Sequence, residues 1–224
     1  MIELLNVDCM EYMATLPDKA FDLACSDPPY GIGTHCIKNN KNRTKLAMAK
    51  DYKYYLNGKN DRPAPEYFVE LVRVSKNQII WGANHLCDLF NAAGSGWIFW
   101  DKEATGPFSD GELAYTSFNN SLRTYRYPWN GMIQGYHGNK KLNELRIHPS
   151  QKPKQLYLWL FSRYAKPGQR ILDTHLGSGS SAIAAHYFGF DFVGCEIDPD
   201  YHAAAVRRFE EETKQGAMAF DDKD

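Results

Sequence analysis

Arg170-Ile171-Leu172-Asp173-Thr174-His175-Leu176-Gly177-Ser178-Gly179-Ser180-Ser181 is the stretch that decides the fold. Residues 170–173 read as a buried strand that ends in a carboxylate. The Gly-Ser-Gly turn follows, where glycine takes dihedrals that other residues resist, and residues 181–188 read as a helix. Asp191-Phe192-Val193-Gly194-Cys195-Glu196 then supplies the next strand, closing on a second acid. Strand, glycine turn, helix, strand is the unit of an α/β sheet that binds a nucleotide at the carboxyl ends of its strands, and the acid on the second strand is placed to accept from ribose hydroxyls. The unit lacks the third glycine of a dinucleotide site, and a carboxylate at Asp173 would repel a pyrophosphate.

Outward from this unit the same alternation continues. Residues 2–7, 21–25 and 78–81 read as strands, and 10–16, 65–74 and 155–164 as helices. Residues 97–100 and 112–118 are two further strands at one edge of the sheet. The last helix opens at Asp198-Pro199, where Asp caps the free amides and Pro suits the first helical position. Tyr201, Ala205 and Phe209 give it one apolar stripe. The expectation is an α/β protein with a mostly parallel sheet, covered on both faces and carrying an antiparallel edge. A single domain over residues 1–224 is expected, with two long irregular segments, 34–62 and 119–146. Such segments in a compact domain tend to be functional loops.

Of the 224 residues, 43% are hydrophobic and 24% charged, ordinary for a globular protein. No apolar run approaches the ~20 residues of a membrane span, and no basic flank precedes an apolar stretch at the N-terminus. A cytoplasmic location without a membrane partner is expected. The five cysteines form no C-x-x-C pair, so reduced thiols are expected, and neither disulfides nor a metal site. The net charge of −1 conceals two basic stretches. Residues 38–62 hold eight Lys or Arg against two Asp, and residues 123–154 hold seven against one Glu. A basic face of this kind suits phosphates.

Asp27-Pro28-Pro29-Tyr30 lies at the end of the second strand, about 145 residues before Asp173. It offers the Asp27 carboxylate and the Pro28 carbonyl as two acceptors in a turn stiffened by Pro28 and Pro29, beside the aromatic face of Tyr30. A ring-conjugated amine is a poor nucleophile, because its lone pair is delocalised. Two acceptors aimed at its protons favour the tetrahedral nitrogen and stabilise the charge that develops on it.

These residues, with Asp173-Thr174-His175-Leu176-Gly177-Ser178-Gly179 and His148-Pro149-Ser150-Gln151-Lys152-Pro153, resemble the amino-group-specific DNA methyltransferases. The match is to the permuted order, with the catalytic motif ahead of the cofactor motif. The resemblance implies a Rossmann-like, circularly permuted methyltransferase fold with S-adenosylmethionine as cofactor. It implies catalytic roles for Asp27, Pro28, Pro29 and Tyr30, with the target base out of the helix and stacked on Tyr30. It places Asp173, His175, Gly177, Ser178, Gly179 and Glu196 around the cofactor, together with Asp8, Cys9 and Asp27. Ser150, Gln151 and Lys152 would hold the methionine carboxylate. The family pattern is Asp-Pro-Phe-x-Gly-x-Gly, and here Thr174 and His175 replace Pro and Phe.

Asp at position 27 is typical of adenine enzymes in that family, where Ser marks cytosine enzymes. The implied activity is therefore N6 methylation of adenine in double-stranded DNA. Cytosine amine methylation, methylation of RNA or protein, and a non-catalytic DNA-binding module are the alternatives. The resemblance makes 119–146 a small target-recognition insertion in which Arg123, Arg126, Lys140 and Lys141 meet DNA. Lys41, Arg43 and Lys45 of the 34–62 loop would lie near the backbone. Tyr125, Tyr127, Trp129 and Tyr136 serve either as stacking groups or as packing for a small subdomain. A homodimer and a partner restriction nuclease both stay open.

Overall fold

The computed structural model describes residues 1–31, 62–104, 109–119, 121–130, 133–136 and 138–218. In chain order the elements are β1 (Ile2–Leu5), α1 (Cys9–Ala14), β2 (Phe21–Ser26), α2 (Pro65–Val74), β3 (Ser75–Trp81), β4 (Trp97–Asp101), β5 (Gly111–Thr116), β6 (Arg123–Arg126), β7 (Trp129–Asn130), β8 (Ile133–Gln134), α3 (Lys154–Tyr164), β9 (Arg170–Asp173), α4 (Ser180–Phe188), β10 (Asp191–Cys195) and α5 (Pro199–Met218). Among the described residues eight strands form one sheet, ordered β1-β10-β9-β2-β3-β5-β4-β6. The run from β1 to β3 is parallel throughout. β5 is antiparallel to both of its neighbours, and β6 returns to parallel pairing with β4.

A parallel sheet needs both faces covered, and side chains alternate between faces along each strand. Leu23, Cys25, Ile79, Trp81, Ile171 and Phe192 pack with α3, α4 and α5 residues such as Leu156, Leu160, Phe161 and Ala184. The intervening Ala24, Ile80, Leu172 and Val193 pack with Met13 of α1 and with Tyr67, Phe68, Leu71 and Val74 of α2. α5 is capped as its sequence suggests: Asp198 Oδ1 accepts from the amides of Asp200 at 2.8 Å and Tyr201 at 3.1 Å. Tyr201 and Ala205 are buried, and Phe209 packs beside them. Among the described residues no helix is long and apolar enough to cross a membrane.

The segment 119–146 departs from the expectation of an irregular stretch. It contributes β6 to the sheet and a short antiparallel ladder, β7–β8. β6 therefore lies outside the two strands expected at the edge. Its sequence, Arg-Thr-Tyr-Arg, is exposed at every position except Tyr125, so it lacks the apolar alternation by which a half-buried strand is read. Tyr125 stacks on Trp159 of α3 with ring centroids 4.9 Å apart, and Trp129 donates from Nε1 to the Gln151 carbonyl at 3.0 Å.

A buried ion pair ties this segment to α5 and to the glycine turn. Arg208 of α5 donates to Glu144 Oε2 at 2.6 Å, and the two side chains are only 6% and 7% exposed. The guanidinium also donates to the Ser178 carbonyl and to Ser180 Oγ, each at 2.9 Å. The other oxygen of Glu144 accepts from the Lys154 amide at 3.0 Å. Removing one partner of such a pair leaves a buried charge unanswered. Arg208→Ala is expected to cost about 3–5 kcal/mol, or roughly 6–20 °C in Tm for a chain of this size. Thermal unfolding at neutral pH checks this, and a loss under about 1 kcal/mol would show that the pair contributes little.

Candidate active site

Three adjacent parallel strands, β1, β10 and β9, end at the same rim, and a cavity of about 260 Å³ opens there. Asp8, Cys9 and Met10 come from the end of β1, Thr174 and His175 from β9, and Cys195, Glu196 and Ile197 from β10; the start of α2 closes the cavity with Pro63, Ala64, Glu66 and Tyr67. Gly177 has φ +53 and Gly179 has φ +75. A Cβ on Gly177 would meet nothing closer than the His148 ring at 3.5 Å, so glycine is required there for its backbone conformation rather than for space. The Gly177 amide donates to Glu196 Oε2 at 2.9 Å, and the Asp198 amide donates to Oε1 at 2.9 Å. Burial raises the Glu196 carboxyl above its usual range.

Of the residues that the sequence assigns to a cofactor, Asp8, Cys9, His175 and Glu196 line this cavity. Asp8 also caps α1, accepting from the Met10 amide at 2.7 Å. Asp173 is buried beneath the turn, and its two oxygens accept from the His175 amide at 3.0 Å and Ser181 Oγ at 2.5 Å. Burial pushes its carboxyl up to about 7. In this structure Asp173 braces the turn rather than walling the cavity. Ser178 is buried and bonded to Ser180, and Gly179 packs on Ala205. Gln151 uses its side chain on the Ile147 amide and the Leu145 carbonyl, and Ser150 is exposed beside His148.

Lys152, which the resemblance assigns to the methionine carboxylate, does not line this cavity and is engaged with Asp27 and Glu112. Its side chain is 4% exposed, and its ammonium stands 2.6 Å from Asp27 Oδ2 and 3.0 Å from Glu112 Oε2. It donates to Tyr30 Oη at 3.0 Å, and Tyr30 donates in turn to Asp27 Oδ1 at 2.6 Å. Lys102 pairs with the other oxygen of Glu112. Burial raises the Asp27 carboxyl above the carboxylate range while Lys152 draws it back down. Glu112, held between two lysines, is pushed down to about 2 despite its burial. Tyr30 lies over Gly82, whose φ is +64, and stacks on His85 at 5.5 Å. A Cβ at Gly82 would sit 2.0 Å from the Tyr30 ring.

A hydroxyl cluster joins this network to the cavity. Ser26, next to Asp27, shares a hydrogen bond of 2.9 Å with Thr174 Oγ1, and Tyr67 Oη lies 2.6 Å from the same atom. Thr174 Oγ1 is 3.0 Å from His175 Nδ1. Among the candidate DNA contacts, Arg123, Arg126, Lys140 and Lys141 are exposed, and Arg126 stands 3.4 Å from Asp101. Tyr125 and Tyr127 stack on each other and Trp129 is buried, so these three pack the segment, whereas Tyr136 is exposed. Lys41, Arg43 and Lys45 fall outside the described residues.

Sequence reasoning missed Glu112, Lys102, Ser26 and Tyr67. A signal existed for the first two. Residues 97–100 and 112–118 are consecutive strands, and antiparallel pairing of such neighbours brings Lys102 beside Glu112. The roles of Ser26 and Tyr67 depend on contacts with a turn about 148 and 107 residues away, which no local pattern encodes.

This chain belongs to the N6/N4 DNA methylase family, whose model matches residues 39–207. It is similar to YubD of Escherichia coli (strain K12), by name a methylase, at 28% identity over 93% of this chain and 90% of that protein. Among solved structures it is similar to the M1.HpyAVI–SAM complex, at 18% identity and a TM-score of 0.58, covering 93% of this chain and 100% of that one. It is also similar to the cytosine-N4-specific PvuII DNA methyltransferase, at 13% identity and a TM-score of 0.59, covering 95% and 90%. The two structural likenesses establish a shared fold.

Two predictions rest on this geometry. Gly82→Ala, which must move the Tyr30 ring, is expected to lower methyl transfer about 10²-fold, while circular dichroism retains the native spectrum. Rate assays on the purified variant check this. The second concerns His175, which burial pushes down to about 4. An unfolded His binds its proton near 6.5, so acidification favours the unfolded chain from about pH 6.5 down to about 4, and stability falls over that window. His148 is pushed down to about 4 as well. His175→Phe should remove about 2–3 kcal/mol of the acid-induced loss. Urea unfolding at pH 6.5 and pH 4.5 measures it, and equal losses in both proteins would contradict the assignment.

Proposed function

We propose that this protein transfers a methyl group from S-adenosylmethionine to the exocyclic N6 amine of adenine in duplex DNA. The observation that carries the reading is the junction at Ser26. It sets Asp27, an acceptor for an amine, one residue from a side chain bonded to the turn that lines the cavity. The acceptors that line the cavity suit a nucleoside bearing a cationic tail. Glu196 has lone pairs left for ribose hydroxyls, Asp8 offers an acceptor beside them, and the rings of Tyr67 and His175 give an apolar wall. The cofactor, when bound, supplies a methyl group already activated by its sulfonium.

The work left to the chain is positioning and charge. Asp27 accepts from the amine and draws its lone pair out of the ring. The Pro28 carbonyl is the second acceptor, and Tyr30 gives the base a face to stack on. Asp27, Pro28, Pro29 and Tyr30 are the catalytic set, and Asp8, Cys9, His175, Gly177 and Glu196 the cofactor set. Residues 1–224 act as one methyltransferase domain of permuted order, with Arg123, Arg126, Lys140 and Lys141 of the 119–146 segment meeting phosphates. Cytosine is the second reading, favoured by the fold shared with the cytosine-N4-specific enzyme.

The test is incubation of the protein with unmethylated duplex DNA and labelled S-adenosylmethionine, followed by nucleoside mass analysis. N6-methyl-2′-deoxyadenosine is the expected product. N4-methyl-2′-deoxycytidine would keep the reaction and overturn the base, and no product on any DNA would overturn both. Asp27→Ala is expected to lower transfer by about 10³-fold, with cofactor affinity retained in calorimetry.

A further inference from the structure

The Lys152 ammonium has three protons and three acceptors, Asp27, Glu112 and Tyr30. It has none left for a ligand carboxylate. Asp27 is equally engaged, with Tyr30 on one oxygen and Lys152 on the other. Each oxygen keeps a second lone pair, so an amine that donates to Asp27 either shares the carboxylate with the Lys152 ammonium or takes the ammonium's place. The occupant is chemically apt, because a lysine ammonium presents N–H and positive charge to the carboxylate, as the amine does once it accepts a methyl group. A second carboxylate stands 3.0 Å from the same ammonium, already held in place by Lys102.

We infer that Lys152 and Glu112 are positioning residues of the target-amine site: Lys152 holds Asp27 in the amine's absence, and Glu112 keeps Lys152 when the amine takes its place on Asp27. The inference rests on the methyltransferase reading above. No proton changes hands in the exchange. One N–H···O contact of Asp27 is replaced by another, and the charges on Asp27, Glu112, Lys152 and Lys102 stay matched throughout. Without Glu112 the freed ammonium would lie buried and unanswered, a state costly enough to block the exchange.

The charges of Lys152 and Glu112 leave a mark on the titration of Asp27. The groups that face Asp27 are Tyr30 and Lys152, Glu112 from β5, Tyr157 from α3, Cys25 from its own strand and Asp173 from the end of β9. Burial holds Tyr30, Tyr157 and Cys25 well above their usual values and so uncharged. Of Lys152 and Glu112, the first lowers the Asp27 carboxyl and the second raises it. Losing Lys152 should raise Asp27 and losing Glu112 should lower it, which checks that both charges face Asp27, while the split between kcat/KM and cofactor affinity reads the exchange itself.

The experiment compares the full chain with Lys152→Met, Glu112→Gln and the double variant, which removes one charge of each sign and so guards against misfolding. Carboxyl-carbon NMR follows Asp27 in the free protein, calorimetry gives S-adenosylmethionine affinity, and kcat/KM on DNA is measured against pH. In Lys152→Met the Asp27 titration and the acid limb of kcat/KM should both rise by about one pH unit or more. The neutral-pH rate should fall about 10²-fold, with cofactor Kd changed by less than about threefold. In Glu112→Gln the limb should move down, yet kcat/KM should fall because Lys152 no longer leaves Asp27. The double variant should fold and remain slow. A tenfold or greater loss of cofactor affinity in Lys152→Met, with the limb unmoved, would return Lys152 to the cofactor and overturn the inference. A wild-type chain that binds cofactor but methylates no DNA would instead overturn the function on which it rests.

Discussion

A carboxylate taken out of water keeps its charge only where a cation answers it, and Asp27 is answered by Lys152. The rest of the site is arranged to make that pairing tenable. Glu112 holds the ammonium from the opposite side, Lys102 balances Glu112, and Tyr30 bonds the remaining oxygen of Asp27. The sheet makes the convergence possible. With helices on both faces, the carboxyl rim is where side chains can meet a ligand. β2 ends there with Asp27, β3 with Gly82 and β4 next to Lys102, and because β5 runs the other way, its start brings Glu112 to the same rim.

Much of this was legible in the sequence, since each strand in the parallel run carries apolar residues that recur at the spacing its burial demands. Leu23 and Cys25 alternate with Ala24, and Ile79 and Trp81 with Ile80. The Asp27 turn and the Gly177–Gly179 turn were legible for a different reason, because rare backbone conformations and prolines leave marks on residue choice. The direction of a long flexible side chain leaves none. Lys152 lies in a stretch whose resemblance points to a cofactor carboxylate, and nothing local to Pro149 or Pro153 says that its ammonium turns toward Asp27. β6 was hidden because a short strand with solvent on most of its side chains has no reason to alternate.

The turn at Gly177 is fastened from several sides. Asp173 and Ser181 brace it from below, Glu196 takes the Gly177 amide, and Arg208 takes the Ser178 carbonyl while holding Glu144 of the segment that carries β6 to β8. Thr174 and His175, at positions where the family pattern has Pro and Phe, add polar contacts to Ser26 and Tyr67. Polar networks of this kind specify one arrangement when every member is satisfied. The turn is thus a junction of four parts of the chain rather than a loop hung on one strand.

The pairing of β1 with β10 sets Ile2 against Phe192, so two of the strands that end at the cavity are far apart in the chain. On a ribosome, β1 emerges long before β10 and waits for the residues between them before its partner exists. The cavity therefore cannot be assembled in stages as synthesis proceeds. It forms late and all at once, with the long loop closures that make folding slow, and until then an unpaired strand edge is exposed to any other chain able to add to it.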